Sequence, residues 1–480
     1  MRMTDRPGPR ARPAELSRRS VLLGGVVVVG GALLGPRMSC DAPPPTVTTT
    51  VRTGTDPIGT VPAGLVGFSF ERRTLTTPLF RAANGPLVAL FRLLGPSVLR
   101  LGGNTVERVG WDRSGAGQAP SVVGPPDLAD LRGFLDAVGW QAFHGTPFAT
   151  GTASSVADEA SIASAILGPT LAAVALCNEP DIYFLDAALK AVVPDHATFL
   201  ARWGSFAAAI RDATDIPLAG PDTCLLQSSQ AWTVDLAGRG AAAPEWSTQH
   251  YYRGLGNVGS IDGLLQPDPL LVPVLDRLAA TAPAGRYRLS ETNSYSSGGA
   301  PGVSNTLASA LWALRLVFTA AERGAAGVNL HNSGTGAGYP AIVQVGGEVT
   351  EVRPLFAGLL LAAQAGSGRL LPTTVEGTQI EAWSVQRGDG SVGVVLSNPS
   401  AADLVVDLPS PGLLTGPTVL RLEGGSLAAT TGVTVGGVAV APDGSWPAPR
   451  REPLPVTKLG TTVAVPAASA ALVEYRLAPA

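Results

Sequence analysis

From about residue 62 to 365, short apolar runs alternate with longer stretches whose apolar positions recur every three or four residues. The runs GLVGFSF (64–70), SVLRLGG (97–103), QAFHGTPFAT (141–150), TLAAVAL (170–176), IPLAGP (216–221), EWSTQHYY (245–252), RYRLSE (286–291) and AAGVNLHN (325–332) read as strands. Amphipathic segments such as HATFLARWGSFAAAIRDAT (196–214) and SNTLASALWALRLVFTAAERG (304–324) lie between them and read as helices. Alternating strands and helices predict a parallel sheet. Eight strands in about 300 residues predict a closed (β/α)8 TIM barrel.

After residue 366 the period shortens. QIEAWSVQRGDGSVGVVLSNPS (379–400) reads as a hairpin turning at Asp389-Gly390. ADLVVDLPS, TVLRLEGG, VTVGGVAVA, TTVAVPA and ALVEYRLA continue as short strands punctuated by Gly, Pro and Asp, the pattern of an antiparallel β-sandwich domain. VTTTVRT (47–53) has the same texture and is predicted to pair with it. The chain therefore divides into an export signal (1–40), a linker and N-terminal strand (41–61), a catalytic barrel (62–365) and a C-terminal β-sandwich (366–480).

The N-terminus carries Arg2, Arg6, Arg10 and Arg12, then Ser17-Arg18-Arg19-Ser20-Val21-Leu22, which matches a twin-arginine export signal. The apolar stretch 21–34 is shorter than the about 20 residues that span a bilayer. This predicts an exported protein, extracellular or at the cell surface, with no stable membrane insertion after signal removal. A lipid anchor at Cys40 is the lesser alternative, because Arg37-Met38-Ser39 stands where a small apolar triplet is needed.

Residues 1–40 hold seven of the 34 basic and two of the 37 acidic residues, leaving 27 and 35, a net charge of −8. The remainder has no basic run, and its only lysines are at 190 and 458. That argues against nucleic acid and against a long sulfated polyanion as partner. Cys177 and Cys224 sit in no CxxC and read as free thiols. His144, His196, His250 and His331 are scattered, so no metal or other cofactor is expected, and the protein is read as a monomer.

The chemistry sits in two motifs 112 residues apart (291 − 179). Cys177-Asn178-Glu179-Pro180 follows LAAVAL, and Leu289-Ser290-Glu291-Thr292 follows RYRL. Each places a glutamate at the end of a predicted strand, and barrel strands end at the face where catalysis occurs. Two carboxyls converging there are the minimal set for retaining glycoside hydrolysis, one as nucleophile and one as acid/base.

LRLGGN (99–104), LCNEPD (176–181), QHYY (249–252), SETNSYSSGGAP (290–301) and GAGYP (336–340) occur in this order along the chain. With them the sequence resembles the retaining β-glucuronidases and heparanases of glycoside hydrolase family 79, over nearly all of residues 41–480. The resemblance implies that Glu179 is the acid/base and Glu291 the nucleophile, on strands 4 and 7. It implies that Asn178 holds the sugar 2-hydroxyl and that Tyr251 lines the site near the nucleophile. Tyr339 and the backbone of Gly338 match the loop that grips a C6 carboxylate. Tyr295, Ser297 and Gly298, in the loop after Glu291, face the same group. His331 stands where heparanases carry Gln, and Asn104 touches either sugar or a turn. His250 reads as structural, bridging strand ends.

The poverty of Lys and Arg departs from the heparanases. It favours exo-acting hydrolysis of terminal β-linked glucuronic acid, 4-O-methylated or not, from glycans or small glucuronides. The same carboxylate pair also suits a neutral β-xyloside or α-arabinofuranoside, or an endo-acting heparanase-like hydrolase. A carbohydrate-binding surface protein that has kept the barrel is the alternative of a different class.

Overall fold

The structure, a computed structural model, describes residues 47–224, 229–282, 285–332, 338–377, 380–410, 412 and 414–477. The export signal, Cys40 and most of the linker lie outside the described residues, as does 333–337 in the loop before Gly338. Val66–Glu71, Val98–Gly102, Gln141–Thr146, Leu171–Leu176, Leu218–Thr223, Trp246–Gly254, Tyr287–Tyr295 and Gly327–His331 close into a barrel of eight parallel strands, here strands 1 to 8. Among the described residues, no helix is long and apolar enough to cross a membrane.

Strands covered on both faces need no polar alternation, and strand 4 shows why LAAVAL is apolar throughout. Ala173 and Ala175 fill the barrel interior beside Phe143 and Ala219, while Val174 and Leu176 belong to the main core formed with the helices. Strand 3 stops at Thr146, shorter than the run read from sequence. Pro147 offers no backbone donor, and the next three N–H groups, of Phe148, Ala149 and Thr150, turn to the Glu107 carboxylate.

The C-terminal strands form two sheets. Val47–Thr53 lies within the five-stranded one, parallel to Leu404–Pro409 and antiparallel to Thr373–Glu376. The larger sheet is buried on both faces. Along Val392–Asn398, Val392, Val394 and Leu396 point into the sandwich core, and Val395 points into the barrel core. Ser469–Leu477 repeats this, with Ala471 and Val473 on one side and Ala470 and Leu472 on the other. The barrel-facing side covers helices Leu307–Glu322 and Pro354–Ala365, which are buried almost all round. Trp383 stacks on Phe318, ring centroids 5.2 Å apart. The second domain thus removes from water an apolar surface that the barrel would otherwise expose.

Candidate active site

Glu179 and Glu291 meet at the C-terminal mouth of the barrel, and backbone irregularities aim both of them. Ser290 is an extra residue in strand 7, since Leu289 pairs with Gln249 and Glu291 with His250. Bulges re-aim side chains in this way: the Ser290 hydroxyl reaches Asp222, and Glu291 next to it still enters the cleft. Asp222 is the corresponding extra residue in strand 5, where Pro221 pairs with Thr248 and Thr223 with Gln249. Cys177, Glu179 and Asp222 all have positive φ, of 67°, 50° and 55°. Such non-glycine conformations cost on the order of 1–3 kcal/mol each and gather where geometry serves function. The Glu179 N–H donates to the Asp222 carbonyl at 2.9 Å, which ties the two strained turns together.

Arg100, buried on strand 2, organises the floor. Its guanidinium donates to Glu291 Oε2 at 2.6 Å, Asn178 Oδ1 at 2.7 Å, Asp222 Oδ2 at 2.7 Å and Ser69 Oγ at 3.1 Å. The glycines after it make room. A Cβ on Gly102 would lie 2.5 Å from Arg100 Cζ, and one on Gly103 2.5 Å from Glu71 Cδ. On the other oxygen, Tyr252 donates its hydroxyl to Glu291 Oε1 at 2.8 Å. His331 Nδ1 stands 3.5 Å from Oε2 and 3.1 Å from Ser69 Oγ.

Electrostatics follow from this packing. Burial opposes ionisation of Glu291, but His331, His250, Arg100 and the Tyr252 hydroxyl outweigh it and pull the carboxyl down to about 2. Burial likewise disfavours a charged His250, yet Glu291, Asp222 and Glu179 push it up to about 10. His250 is therefore an imidazolium near neutral pH, with Nδ1 2.9 Å from Glu179 Oε1 as donor. Its Nε2 lies 3.8 Å from Asp222 Oδ1, beyond hydrogen-bond range. Burial also opposes the Asp222 carboxylate, and Arg100 and His250 hold it far below the usual range.

One ligand atom from each of Glu179, His250 and Glu291 lies within 4.8 Å of the others, a spacing open to a metal ion by distance alone. The Arg100 guanidinium on Glu291 and the positive charge on His250 oppose a further cation there.

Tyr251 does not line the site. Strand residues alternate faces, so with His250 and Tyr252 inward, Gln249 and Tyr251 point out. The Tyr251 hydroxyl donates to Asp268 at 2.9 Å, and Tyr252 occupies the place beside Glu291 read for Tyr251. Tyr295 is also turned away from the cleft: its hydroxyl bonds the Ser260 backbone, donating to the carbonyl at 3.1 Å. Ser297 is exposed, and Asn104 is exposed at the rim after strand 2. Gly298 and Gly338 are pressed together. The Tyr339 N–H donates to the Gly298 carbonyl at 3.0 Å, and a Cβ on Gly338 would fall 1.2 Å from that oxygen. Arg353 donates to the Gly338 carbonyl at 2.8 Å from behind. The buried Tyr339 ring then sits edge-on to His331 at 5.9 Å and 6.1 Å from the Tyr252 ring.

Arg100, Asp222, Tyr252 and the contact of His250 with Glu179 escaped the sequence reading. The signal for Arg100 was present: an Arg between two leucines of a fully buried strand needs a buried anionic partner. Asp222 had no such signal, because the bulge at its own position sets which way it faces, and QHYY alone does not say which of its tyrosines faces inward.

No protein-family model matches the chain, and no curated protein does. Solved structures do. A 4-O-α-L-rhamnosyl-β-D-glucuronidase from Fusarium oxysporum, solved with Rha-GlcA, is 18% identical, with TM-score 0.70 over 89% of this chain and 100% of that one. A family 51 α-L-arabinofuranosidase from Bifidobacterium longum is 13% identical, with TM-score 0.65 over 90% and 100%. An α-L-arabinofuranosidase from Thermotoga maritima is 14% identical, with TM-score 0.67 over 89% and 99%. At these identities the likeness establishes a shared fold, a TIM barrel with an accompanying β-sandwich.

Proposed function

We propose that the protein is a retaining, exo-acting β-glucuronidase that releases terminal β-linked glucuronic acid by double displacement. The observation that carries this is the carboxylate pair at the barrel mouth, with oxygens of Glu179 and Glu291 within 4.8 Å. Retaining enzymes hold their carboxyls about 5–5.5 Å apart, and inverting ones leave room for a water. Glu291, ionised and pointed by Arg100 and Tyr252, attacks the anomeric carbon. Glu179 gives its proton to the departing oxygen, and the glycosyl ester on Glu291 forms as the glycosidic bond breaks. In the second half Glu179 takes a proton from water, which attacks the same carbon and frees Glu291. His250 donates to Glu179 Oε1 at 2.9 Å and orients that carboxyl. Asn178, its Oδ1 held by Arg100, turns its amide N–H groups toward the sugar 2-hydroxyl.

The glucuronate assignment rests on the Gly298–Tyr339 junction, which sets the Tyr339 ring beside His331 and Tyr252 at the cleft, and on the rhamnosyl-glucuronidase among proteins of this fold. A carboxylate is well held by O–H and N–H donors in a site of low dielectric. The test is turnover of matched p-nitrophenyl β-glucuronide, β-glucoside and β-xyloside by the wild type, Glu291→Ala and Tyr339→Phe. Selective glucuronide turnover is expected, abolished in Glu291→Ala and restored by azide as a glycosyl azide. Tyr339→Phe lowers glucuronide turnover far more than xyloside turnover. Preference for the xyloside would overturn the sugar and keep the mechanism.

A further inference from the structure

Ser69, Arg100, Tyr252 and His331 gather around Glu291, and the sugar lies over that carboxylate in the proposed mechanism. The leaving group must depart past Glu179, since the group that protonates an oxygen lies within hydrogen-bond reach of it. From Glu179 the chain runs through the turn Pro180–Leu185 and the short helix Ala187–Val192. The root of this segment is pinned: the Tyr183 hydroxyl donates to Glu107 at 2.6 Å, and the Asp181 carboxylate accepts from the Cys224 N–H at 3.0 Å. Beyond those anchors three of its large apolar side chains face solvent, while Leu189 packs against the core. Phe184 is 55% exposed, Leu185 72% and Val192 38%, and no residue of the helix is buried.

The connection after strand 6 repeats the feature with Leu255 at 63%, Val258 at 70% and Leu270 at 38%. Half of the twelve large exposed hydrophobic residues among the described ones therefore lie on two connections, those after strands 4 and 6. In the barrel order, strand 5 stands between strands 4 and 6. Clustered apolar exposure on a pinned segment marks a binding surface, whereas isolated exposed residues do not. Of the charged residues in 184–192, Asp186 is spent capping its own helix, and Lys190 is the single cation.

We propose that this rim is the aglycone platform, and that the substrates are β-glucuronides of apolar alcohols or phenols rather than uronate-terminated polysaccharides. Phe184 and Leu185 take the apolar body of the leaving group next to the acid/base, with Leu255 and Val258 extending the surface. This rests on the glucuronidase reading of the same site. An inner sugar residue would call for hydroxyl- and carboxylate-binding groups at these positions, and the segment supplies almost none.

The test compares octyl and methyl β-glucuronide, whose leaving groups differ in apolar length and little in reactivity. The intact protein is expected to show a higher kcat/KM for the octyl compound. In Phe184→Ser/Leu185→Ser the octyl-to-methyl ratio falls about tenfold, the effect of losing partial burial of two such side chains. The loss appears in KM. Leu459→Ala, which removes an 80% exposed residue on the β-sandwich, keeps the wild-type ratio.

A ratio near one in the wild type, or one that survives the double substitution, overturns the proposal. So does a glucuronyl disaccharide cleaved better than the octyl compound. A double variant that only turns a dimer into a monomer assigns the patch to contact between copies instead. If both glucuronides resist while xylosides react, the sugar assignment has failed, and the same ratio is read on octyl and methyl xyloside. A protein that cleaves neither pair overturns both readings.

Discussion

Tyr252→Phe removes one oxygen atom from the environment of Glu291 and tests how that carboxylate is kept charged. The hydroxyl lies 2.8 Å from Glu291 Oε1, and Arg100 holds Oε2 at 2.6 Å. Lowering Glu291 from 4.5 to about 2 corresponds to roughly 3 kcal/mol in favour of the carboxylate. His331, His250 and Arg100 each contribute more to this than the hydroxyl does. Hydrogen bonds to charged groups contribute about 1.5–3 kcal/mol, and the lower end applies to this smallest contributor.

The variant should therefore raise Glu291 by about one pH unit. Because the folded value lies below the unfolded one, ionised Glu291 stabilises the fold fully above pH 4.5. That stabilisation is lost as pH falls through about 2 in the wild type, and through about 3 in the variant. The assay is kcat/KM for p-nitrophenyl β-glucuronide from about pH 1 to about pH 8, with thermal unfolding midpoints alongside. The acid limb should move up by about one pH unit in Tyr252→Phe and stay in place in Tyr251→Phe, whose hydroxyl bonds Asp268. An equal loss of activity at every pH in Tyr252→Phe, or a moved limb in Tyr251→Phe, would refute the argument.

His250, pushed up to about 10, has the opposite sign: its contribution is complete below pH 6.5 and is lost as pH rises through 10. The wild-type unfolding midpoint should fall across that window, and His250→Gln should flatten the fall. Gly338→Ala places a Cβ where the Gly298 carbonyl stands, so the Tyr339 loop must shift. Displacements of about 1 Å cost on the order of 10²-fold, so glucuronide kcat/KM should fall by about that much while the unfolding midpoint stays within a few degrees.

The eight strands could be read from the chain because burial on both faces writes continuous apolar runs, and the helices between them write a 3.6-residue period. The two glutamates were legible for a related reason: a charged residue directly after such a run marks a strand's C-terminal end. The Asp389-Gly390 hairpin and the N-terminal strand were local in the same sense. What could not be read was which way single residues face once a strand is irregular. The extra residues Ser290 and Asp222 break the two-residue alternation, so the distinction between Tyr251 and Tyr252 arises only when strands 5, 6 and 7 pair. Arg100 stood in plain view in LRLGG, but its partners come from positions 69, 178, 222 and 291. The chain itself determined the elements and the identity of the two carboxylates, because these follow from periodicity over a few residues. Tertiary structure alone decided how Glu291 is charged and how both carboxylates are aimed, because that depends on long-range pairing that brings buried charges within 3 Å of one another.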